Sequence, residues 1–347
     1  MRIKKLLQFA GLAVVLAATY STSVYATGTY AFQFGNTGGA GQLTGGVAAA
    51  IDSAKNVYVV DAGTQNVKKY SSSGAYILSW GSSGSGNGQF SAAFGVTVDS
   101  SDNVYVTDRV AGRIQKFTSS GVFITKWGSV GTGNGQFGSN GPMNLAFANN
   151  QIYATDLSNN RVQIFTTAGV FVSSFGSSGP GLFEEMPGDI TSDSAGTMYV
   201  IDSNGSTNTP SVKKYTSAGT FIATWVISNG GLGTYMNGIV VDRNGDIYLS
   251  DMYNGEIRQF TNSGADIATF GGLGAGNGQL NNEFGLAIGS LTTGDYLYVA
   301  DLGNTRVEVF KILDPPPAPV VVTPTPATPA PVASVVVIPS GPPDTGL

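Results

Sequence analysis

Short runs of alternating apolar and polar residues recur along most of the chain, and the stretch from Gly95 to Gly128 shows the pattern most clearly. It reads "GVTVD", "VYVTD", "RIQKF" and "VFITKWG", separated by "SSDN", "RVAG" and "TSSG". Alternation with a period of two predicts β-strands, and clusters of Gly, Ser, Asn and Asp predict tight turns. The stretch therefore predicts a four-stranded antiparallel sheet without a helix.

The phrase Tyr-x-x-Asp, which ends the second strand of this unit, is repeated six times at intervals of 46 to 50 residues. The six copies end at Asp61, Asp108, Asp156, Asp202, Asp251 and Asp301. A period in this range with four strands per unit is typical of a β-propeller blade, whereas a solenoid repeat is shorter.

The fourth strands predict how the two ends of the chain meet. Five repeats continue into a fourth strand, but the sixth ends at Arg306–Ile312 without one, and a matching segment, Thr29–Gly35, precedes the first repeat. We therefore expect an all-β, six-bladed propeller over residues 27–312, closed by the N-terminal strand so that no strand edge is open at the seam. Trp80, Trp127 and Trp225 share one fourth-strand position, and we expect them to pack between blades.

The unit resembles the NHL repeat. The matching elements are "GNGQF" at Gly86–Phe90 and Gly133–Phe137, and "DLSNNRVQIF" at Asp156–Phe165. The resemblance covers residues 29 to about 312 and implies the propeller fold; it says little of function, because this scaffold serves enzymes, binders and structural modules. Similar lyases depend on histidine, and this chain has none, whereas calcium-dependent lactonase-like propellers use acidic and Asn ligands.

Each repeated aspartate precedes a turn that contains Asn or Gly. A short carboxylate there can accept hydrogen bonds from backbone amides two or three residues later. Six equivalent carboxylates lack the asymmetric setting that tunes a catalytic acid. We therefore interpret all six as structural turn residues and assign no catalytic residue.

Positions that break the repeat are the candidate contact residues, because exposed charged and aromatic loop residues on a rigid ring are typical partner contacts. The binding-face candidates are Arg109, Glu184, Glu185, Tyr235, Met252 and Tyr253. The candidates for the central channel are Asn144, Asn237 and Glu283. Calcium in that channel is the cofactor alternative, whereas "DRNGD" at Asp242–Asp246 lacks the terminal Glu of a calcium loop and predicts a hairpin turn.

The two ends of the chain predict its location. Residues 1–26 have the basic start, short apolar run and "VYA" ending of a secretory signal peptide. Their removal leaves 14 of the 17 basic residues against 22 acidic ones, which disfavours nucleic-acid binding, and no transmembrane helix is expected in the mature chain. Residues 313–347 hold 11 of the 15 prolines and end in "PPDTGL", similar to a truncated sorting signal, so we expect a stalk or linker that tethers the domain.

Together these features favour a secreted or surface-tethered monomer that acts as a non-catalytic binding or scaffold module for an extracellular protein or glycan. The alternative is a calcium-dependent lactonase-like or other hydrolase or lyase with a metal in the central channel. Low charge, at 11 % of residues, and 49 glycines suit a turn-rich extracellular protein.

Overall fold

The computed structural model describes residues 28–184, 186–203, 210–227 and 236–313. The predicted signal peptide, the proline-rich tail from residue 314 onward, Glu185 and Tyr235 lie outside the described residues. Within those four ranges no helix is long and apolar enough to cross a membrane. A 3-10 turn at Leu157–Asn159 is the helical element found there.

The strands form six antiparallel sheets of four, which we number as blades I to VI. Strand β1 (Thr29–Phe34) comes first in the chain. Blade I contains β2 (Gly46–Ile51), β3 (Val57–Asp61), β4 (Asn66–Tyr70) and β5 (Tyr76–Trp80), and blade II contains β6 (Ala93–Val98), β7 (Val104–Asp108), β8 (Arg113–Phe117) and β9 (Phe123–Trp127). Blade III contains β10 (Leu145–Ala148), β11 (Gln151–Asp156), β12 (Arg161–Thr166) and β13 (Phe171–Phe175). Blade IV contains β14 (Met186–Ser192), β15 (Met198–Ser203), β16 (Ser211–Tyr215) and β17 (Phe221–Val226). Blade V contains β18 (Met236–Val241), β19 (Ile247–Asp251), β20 (Glu256–Phe260) and β21 (Asp266–Gly271), and blade VI contains β22 (Glu283–Leu291), β23 (Gly294–Asp301) and β24 (Arg306–Leu313) together with β1.

This arrangement confirms the predicted six-bladed propeller and its closure by the N-terminal strand. The first strand of each blade surrounds the centre of the ring, and the fourth forms its outer edge. Because consecutive strands are antiparallel, two kinds of connection alternate between the two faces. The face with the second-to-third turns and the blade-to-blade connections is here called the loop face, and the opposite one the hairpin face.

Adjacent blades pack through an aromatic side chain on the fourth strand of one blade and a glycine turn on the next. The Trp80 ring lies 5.8 Å from that of Phe117 in blade II, and Gly121 in the blade II turn lies against the same indole. A Cβ added to Gly121 would come 2.7 Å from the Trp80 ring, and its φ of +83° also favours glycine. Gly169 makes the same contact with Trp127. The predicted inter-blade role of these tryptophans is confirmed.

The seam between blades VI and I repeats that contact. Strand β1 pairs with β24, and Phe34 at its end is buried with its ring 4.8 Å from that of Tyr70 in blade I. Gly74, in the third-to-fourth turn of blade I, lies against Phe34, where an added Cβ would come 2.6 Å from the side chain. The N-terminal strand therefore supplies both the missing strand of blade VI and the aromatic side chain of its junction with blade I.

We predict that deletion of residues 29–35 opens the ring. The edge of β24 would lose its hydrogen-bonding partner and the seam would lose Phe34, so we expect aggregation or a fall of at least several degrees in melting temperature. The synthetic peptide of residues 28–35, added in trans, should restore monomer in size-exclusion chromatography. A deletion variant that stays monomeric with unchanged melting would contradict closure by β1.

Candidate functional site

The six repeated aspartates lie at the loop face, and each is at most 1 % exposed. Asp156 shows the arrangement most fully. Its carboxylate accepts the Gly138 amide at 2.8 Å, from the connection that leads into its own blade, and pairs with the Arg161 Nε at 2.9 Å on the third strand. The side-chain amide of Asn159 in the intervening turn donates to it at 2.9 Å. One carboxylate thus joins three segments of a blade.

The same bonding recurs around the ring with different cations. Asp108 pairs with Arg113, Asp301 with Arg306, Asp202 with Lys213 and Asp61 with Lys68. The predicted local turn hydrogen bonds are present at Asp61, which accepts the Gly63 amide at 3.2 Å, and at Asp251, which accepts the Tyr253 amide at 3.2 Å. These turn hydrogen bonds are therefore only some of the contacts that the carboxylates make. The sequence did not predict the ion pair with the third strand.

A cavity of about 440 Å³ occupies the centre of the ring. Its wall is formed by the first strands of all six blades, with apolar residues such as Ala48, Leu145 and Ile239, but the surface that they and the polar lining residues present to the cavity is largely polar. Asn144 and Asp189 also line it. The cavity extends to Ser194 and Ser290, which are exposed at the hairpin face.

Asn144 and Asp189 occupy the same repeat position in neighbouring blades. The position is defined by the residue that follows it on the first strand, which pairs with the residue two positions before the repeated aspartate. In blade III this pair is Leu145 with Ala154, and in blade IV it is Ile190 with Val200. Four other residues hold this position in the remaining blades, and all are small: Ala48, Gly95, Gly238 and Gly285. Asp189 is therefore a carboxylate at a place where the repeat otherwise has no charge.

Asp189 connects blades IV and V. Its Oδ1 accepts the amide of Ile190 at 2.8 Å, and its Oδ2 accepts the amide of Ile239 in blade V at 3.0 Å. Protein surrounds the carboxyl group, although part of the residue faces the cavity, and this burial raises the pKa of Asp189 to about 7 despite the two hydrogen bonds. Sequence reasoning missed this residue, which an alignment of the six innermost strands would have singled out as an acid among small residues.

Two aromatic rings lie at the loop-face side of the first strands. Phe94 of blade II and Phe284 of blade VI meet edge to face with their centroids 6.0 Å apart. Each comes one residue before the glycine of its strand, Gly95 and Gly285. Those glycines allow the close approach, since a Cβ at Gly285 would come 2.6 Å from the Ala48 backbone of blade I. The two rings therefore bridge across blade I.

Arg109 stacks on this aromatic pair. Its guanidinium carbon lies 4.8 Å from the Phe94 ring centroid, and its Nη2 is 3.5 Å from the Asn140 side-chain oxygen. The Nε is buried and makes no hydrogen bond within the described part of the chain. No described carboxylate lies within ion-pair distance of it, and burial lowers the pKa of Arg109. It differs in this respect from the paired cations of the repeats.

The other predicted contact residues are distributed around the ring. Tyr253, in the second-to-third turn of blade V, is 69 % exposed, and Glu184 is exposed where the chain enters blade IV. Blades II and V are three positions apart in a ring of six, so Arg109 and Tyr253 share the loop face but lie on opposite sides of it. Met252 lies beside Tyr253, and its sulfur accepts a bond of 3.0 Å from the Asn237 side-chain amide.

The predicted channel residues separate in the structure. Asn144 lines the cavity, whereas Asn237 contacts Met252 near the loop face and is not part of the cavity wall. The reason is register: Asn237 precedes by one residue the position that Asn144 and Asp189 occupy. Glu283 begins β22 and pairs with Asp301.

Calcium in the central cavity stays a prediction, and the oxygen atoms of Asp189 bear on it. Calcium takes six to eight oxygen ligands, whereas Asp189 already accepts a backbone amide with each oxygen and has Asn144 as its equivalent in the next blade. The described side chains contain no group of three or more acidic, His or Cys residues placed to hold a metal. The "DRNGD" segment forms the predicted hairpin turn, in which Asp242 accepts the amides of Asn244 and Asp246 at 2.8 and 2.9 Å.

Comparison with solved structures finds the same fold at low sequence identity. A catalytically inactive histidine-to-alanine variant of virginiamycin B lyase from Staphylococcus aureus is 14 % identical, with 77 % of this chain and 80 % of that chain covered and a TM-score of 0.54. A gluconolactonase from Xanthomonas campestris is 12 % identical, with coverages of 78 % and 87 % and a TM-score of 0.58. Hydrazine synthase from Kuenenia stuttgartiensis is 13 % identical, with coverages of 78 % and 77 % and a TM-score of 0.57. No family model and no curated protein matches the sequence, so the comparisons show the propeller fold alone.

We predict that Asp189 makes the stability of the protein depend on pH near neutrality. Its folded-state pKa of about 7 lies above the ordinary value of 3.8, so the native state keeps a proton that the unfolded chain releases. Stability should therefore fall as pH rises from about 4 to 7, by up to about 1.4 kcal/mol per pH unit.

Chemical denaturation of Asp189→Asn at several pH values should show this slope reduced. The chain has no histidine to add its own slope, and Asp242, whose pKa burial raises to about 6, is unchanged in both proteins. Asn144→Ala, at the equivalent uncharged position, should keep the wild-type slope. An identical slope in wild type and Asp189→Asn would contradict the assignment.

Proposed function

We propose that this chain is a non-catalytic binding or scaffold module of the NHL-repeat type, which holds an extracellular protein or glycan at its loop face. The observation that carries the proposal is Arg109. A partly buried cation without a counter-charge is unfavourable, because burial removes water that would otherwise solvate the guanidinium. An acidic group of a partner would supply the missing charge and hydrogen-bond acceptor.

The surroundings of Arg109 suit such a contact. Stacking on Phe94 fixes the plane of the guanidinium, whose donors match the two oxygens of a carboxylate. The adjacent Val110 is 62 % exposed and offers apolar surface beside the charge. The recognised group is therefore a carboxylate, from a uronic acid of a glycan or from an Asp or Glu side chain of a protein.

Other parts of the loop face add surface for a large partner. Its exposed apolar side chains are Val130 at 53 %, Leu182 at 46 %, Tyr253 at 69 % and Leu273 at 59 %. Tyrosine is enriched at protein interfaces, and loops on a rigid ring keep their geometry when they bind. These residues favour a macromolecular partner over a small molecule held only by Arg109.

An enzymatic role has less support. The virginiamycin B lyase variant that lacks a histidine is inactive, and this chain has no histidine at any position. The calcium-dependent hydrolase alternative has less support, because the described residues contain no group of three or more acidic, His or Cys side chains placed to hold a metal, and calcium takes six to eight oxygen ligands. If the protein were an enzyme, Asp189 would be the candidate catalytic residue, because its pKa is raised.

The proposal includes an extracellular location for the protein. A secretory signal peptide at residues 1–26 and a proline-rich tail would place the propeller outside the cell, free or tethered to the surface. The excess of acidic residues argues against a nucleic-acid partner. We propose that the propeller acts as a monomer.

We predict that Arg109→Ala weakens capture of an acidic partner. A hydrogen-bonded charged group contributes about 1.5–3 kcal/mol, so the affinity should fall about tenfold or more. The measurement is binding of the purified protein to immobilised polygalacturonate, to a neutral dextran, and to an extracellular envelope fraction, at low and high salt.

Lys126→Ala is the matched control, because Lys126 is an exposed cation on β9, the outermost strand of the same blade, whereas Arg109 stacks on Phe94 of the innermost strand. It should bind as the wild type does, while Arg109→Lys should recover only part of the affinity because a lysine lacks the bidentate donors. Equal loss in Arg109→Ala and Lys126→Ala, or no loss in either, would contradict recognition through Arg109.

A further inference from the structure

Three connections at the loop face have almost the same sequence and the same backbone. They span Gly84–Phe90, Gly131–Phe137 and Gly274–Leu280, and each carries Asn-Gly at its tip. In each, the following glutamine donates its amide to the glycine carbonyl three residues before it, at 3.1 to 3.3 Å. The tip glycines, Gly88, Gly135 and Gly278, have φ values of +74°, +74° and +76°. The chain thus contains three copies of one turn.

The three turns differ in what accepts the tip glycine's N–H. The amide of Gly88 donates to the Gln115 Oε1 at 2.9 Å, and that of Gly135 to the Gln163 Oε1 at 2.9 Å. In blade VI the amide of Gly278 donates to the Glu308 Oε1, at 2.5 Å. The three acceptors are fully buried and hold the same position on the third strand of their blades. A carboxylate therefore replaces a carboxamide at one of three otherwise matching sites.

This difference changes the chemistry available to the asparagine. In an Asn-Gly pair the glycine nitrogen can attack the asparagine side-chain carbonyl carbon, since glycine has no side chain to obstruct the five-membered ring that forms. The nitrogen must lose its proton for this to happen. A carboxylate in hydrogen-bonding contact can accept that proton as a general base, whereas a neutral glutamine amide cannot.

We propose that Asn277 is a self-modifying site, at which Glu308 promotes deamidation through a succinimide. Glu308 takes the proton from the Gly278 nitrogen, and this nitrogen bonds to the Asn277 Cγ. The C–N bond to the side-chain amide breaks, and ammonia leaves with a proton returned by Glu308. Water then opens the ring at either carbonyl, which gives aspartate or isoaspartate at residue 277.

The charges around Glu308 favour its action as a base. The Arg306 Nε is shared between two acids, 2.9 Å from the Asp301 Oδ2 and 3.0 Å from the Glu308 Oε2. Burial raises the pKa of Glu308, and Asp301 adds to this rise while Arg306 opposes it. Tyr30 of β1 is the further titratable group whose charge interacts with Glu308. A carboxylate of raised pKa is a stronger base than an exposed one.

The modification would act on the blade that closes the ring. Arg306 Nη2 donates to the carbonyls of Gly276 and Gln279 on either side of the Asn-Gly pair, at 3.0 and 2.6 Å. Isoaspartate inserts an extra carbon into the backbone between them and would break this register. Either product also adds a negative charge to the loop face.

The test is peptide mapping of the folded protein by mass spectrometry after incubation at pH 7.5 in water enriched in oxygen-18. The three asparagines of these turns are all exposed, so their deamidation rates can be compared within one molecule: Asn87, Asn134 and Asn277. We expect Asn277 to deamidate at least about tenfold faster than the other two, below the 10²-fold low end for a general base because Arg306 partly neutralises the carboxylate. The product should contain isoaspartate and one oxygen-18, as a succinimide route requires.

Two reciprocal variants distinguish the effect of the general base on the deamidation rate from the effect of the turn conformation. Glu308→Gln should slow Asn277 to the rate of Asn87 and Asn134, and Gln115→Glu should accelerate Asn87 while leaving Asn134 unchanged. The Gln115→Glu result stands even if Glu308→Gln destabilises blade VI. Equal rates at the three sites in the wild type, or an Asn87 rate unaffected by Gln115→Glu in a folded protein, would overturn the proposal.

Discussion

The structure depends on a buried ion pair at the end of the second strand of each of several blades. Asp156 with Arg161 is the clearest case: the pair is nearly inaccessible to water and also binds the backbone of the incoming connection. Two charges in such a place are stable because they pair with each other and with neighbouring hydrogen-bonding groups. The contact fixes the loop face of the blade without a disulfide, in a chain that has no cysteine.

These ion pairs distinguish the residues that hold the fold together from the residues that are candidates for function. Where the repeated charges are paired, as in Arg113 with Asp108, they satisfy one another and leave little for a ligand. The groups with unmatched chemistry are those that depart from the repeat. Arg109 has no acidic partner among the described side chains, Asp189 is an acid among small residues, and Glu308 replaces a glutamine. We propose that binding and modification belong to these departures.

Most of the fold could be predicted from the sequence, because strand alternation and the missing fourth strand after Arg306 are local signals that repeat in phase. The candidate functional residues were harder to predict from the sequence. Asn237 was placed in the channel because a single strand does not reveal its register, and one residue of register moves a side chain from the cavity wall to the loop face. The ion pairs were missed because they join residues five to eleven positions apart across a turn, which only the folded hairpin brings together.

The most direct measurement of this scaffold role is the free energy of unfolding of Asp156→Ala, Arg161→Met and the double variant, with Arg109-dependent capture recorded for each. If Asp156 holds the blade, its removal leaves Arg161 buried without a partner and should cost about 3–5 kcal/mol. The double variant should cost less than the sum of the two single ones by about 0.5–3 kcal/mol, and folded protein should still capture its partner. Native stability with lost capture in Asp156→Ala would show instead that the repeated aspartates are themselves the functional residues.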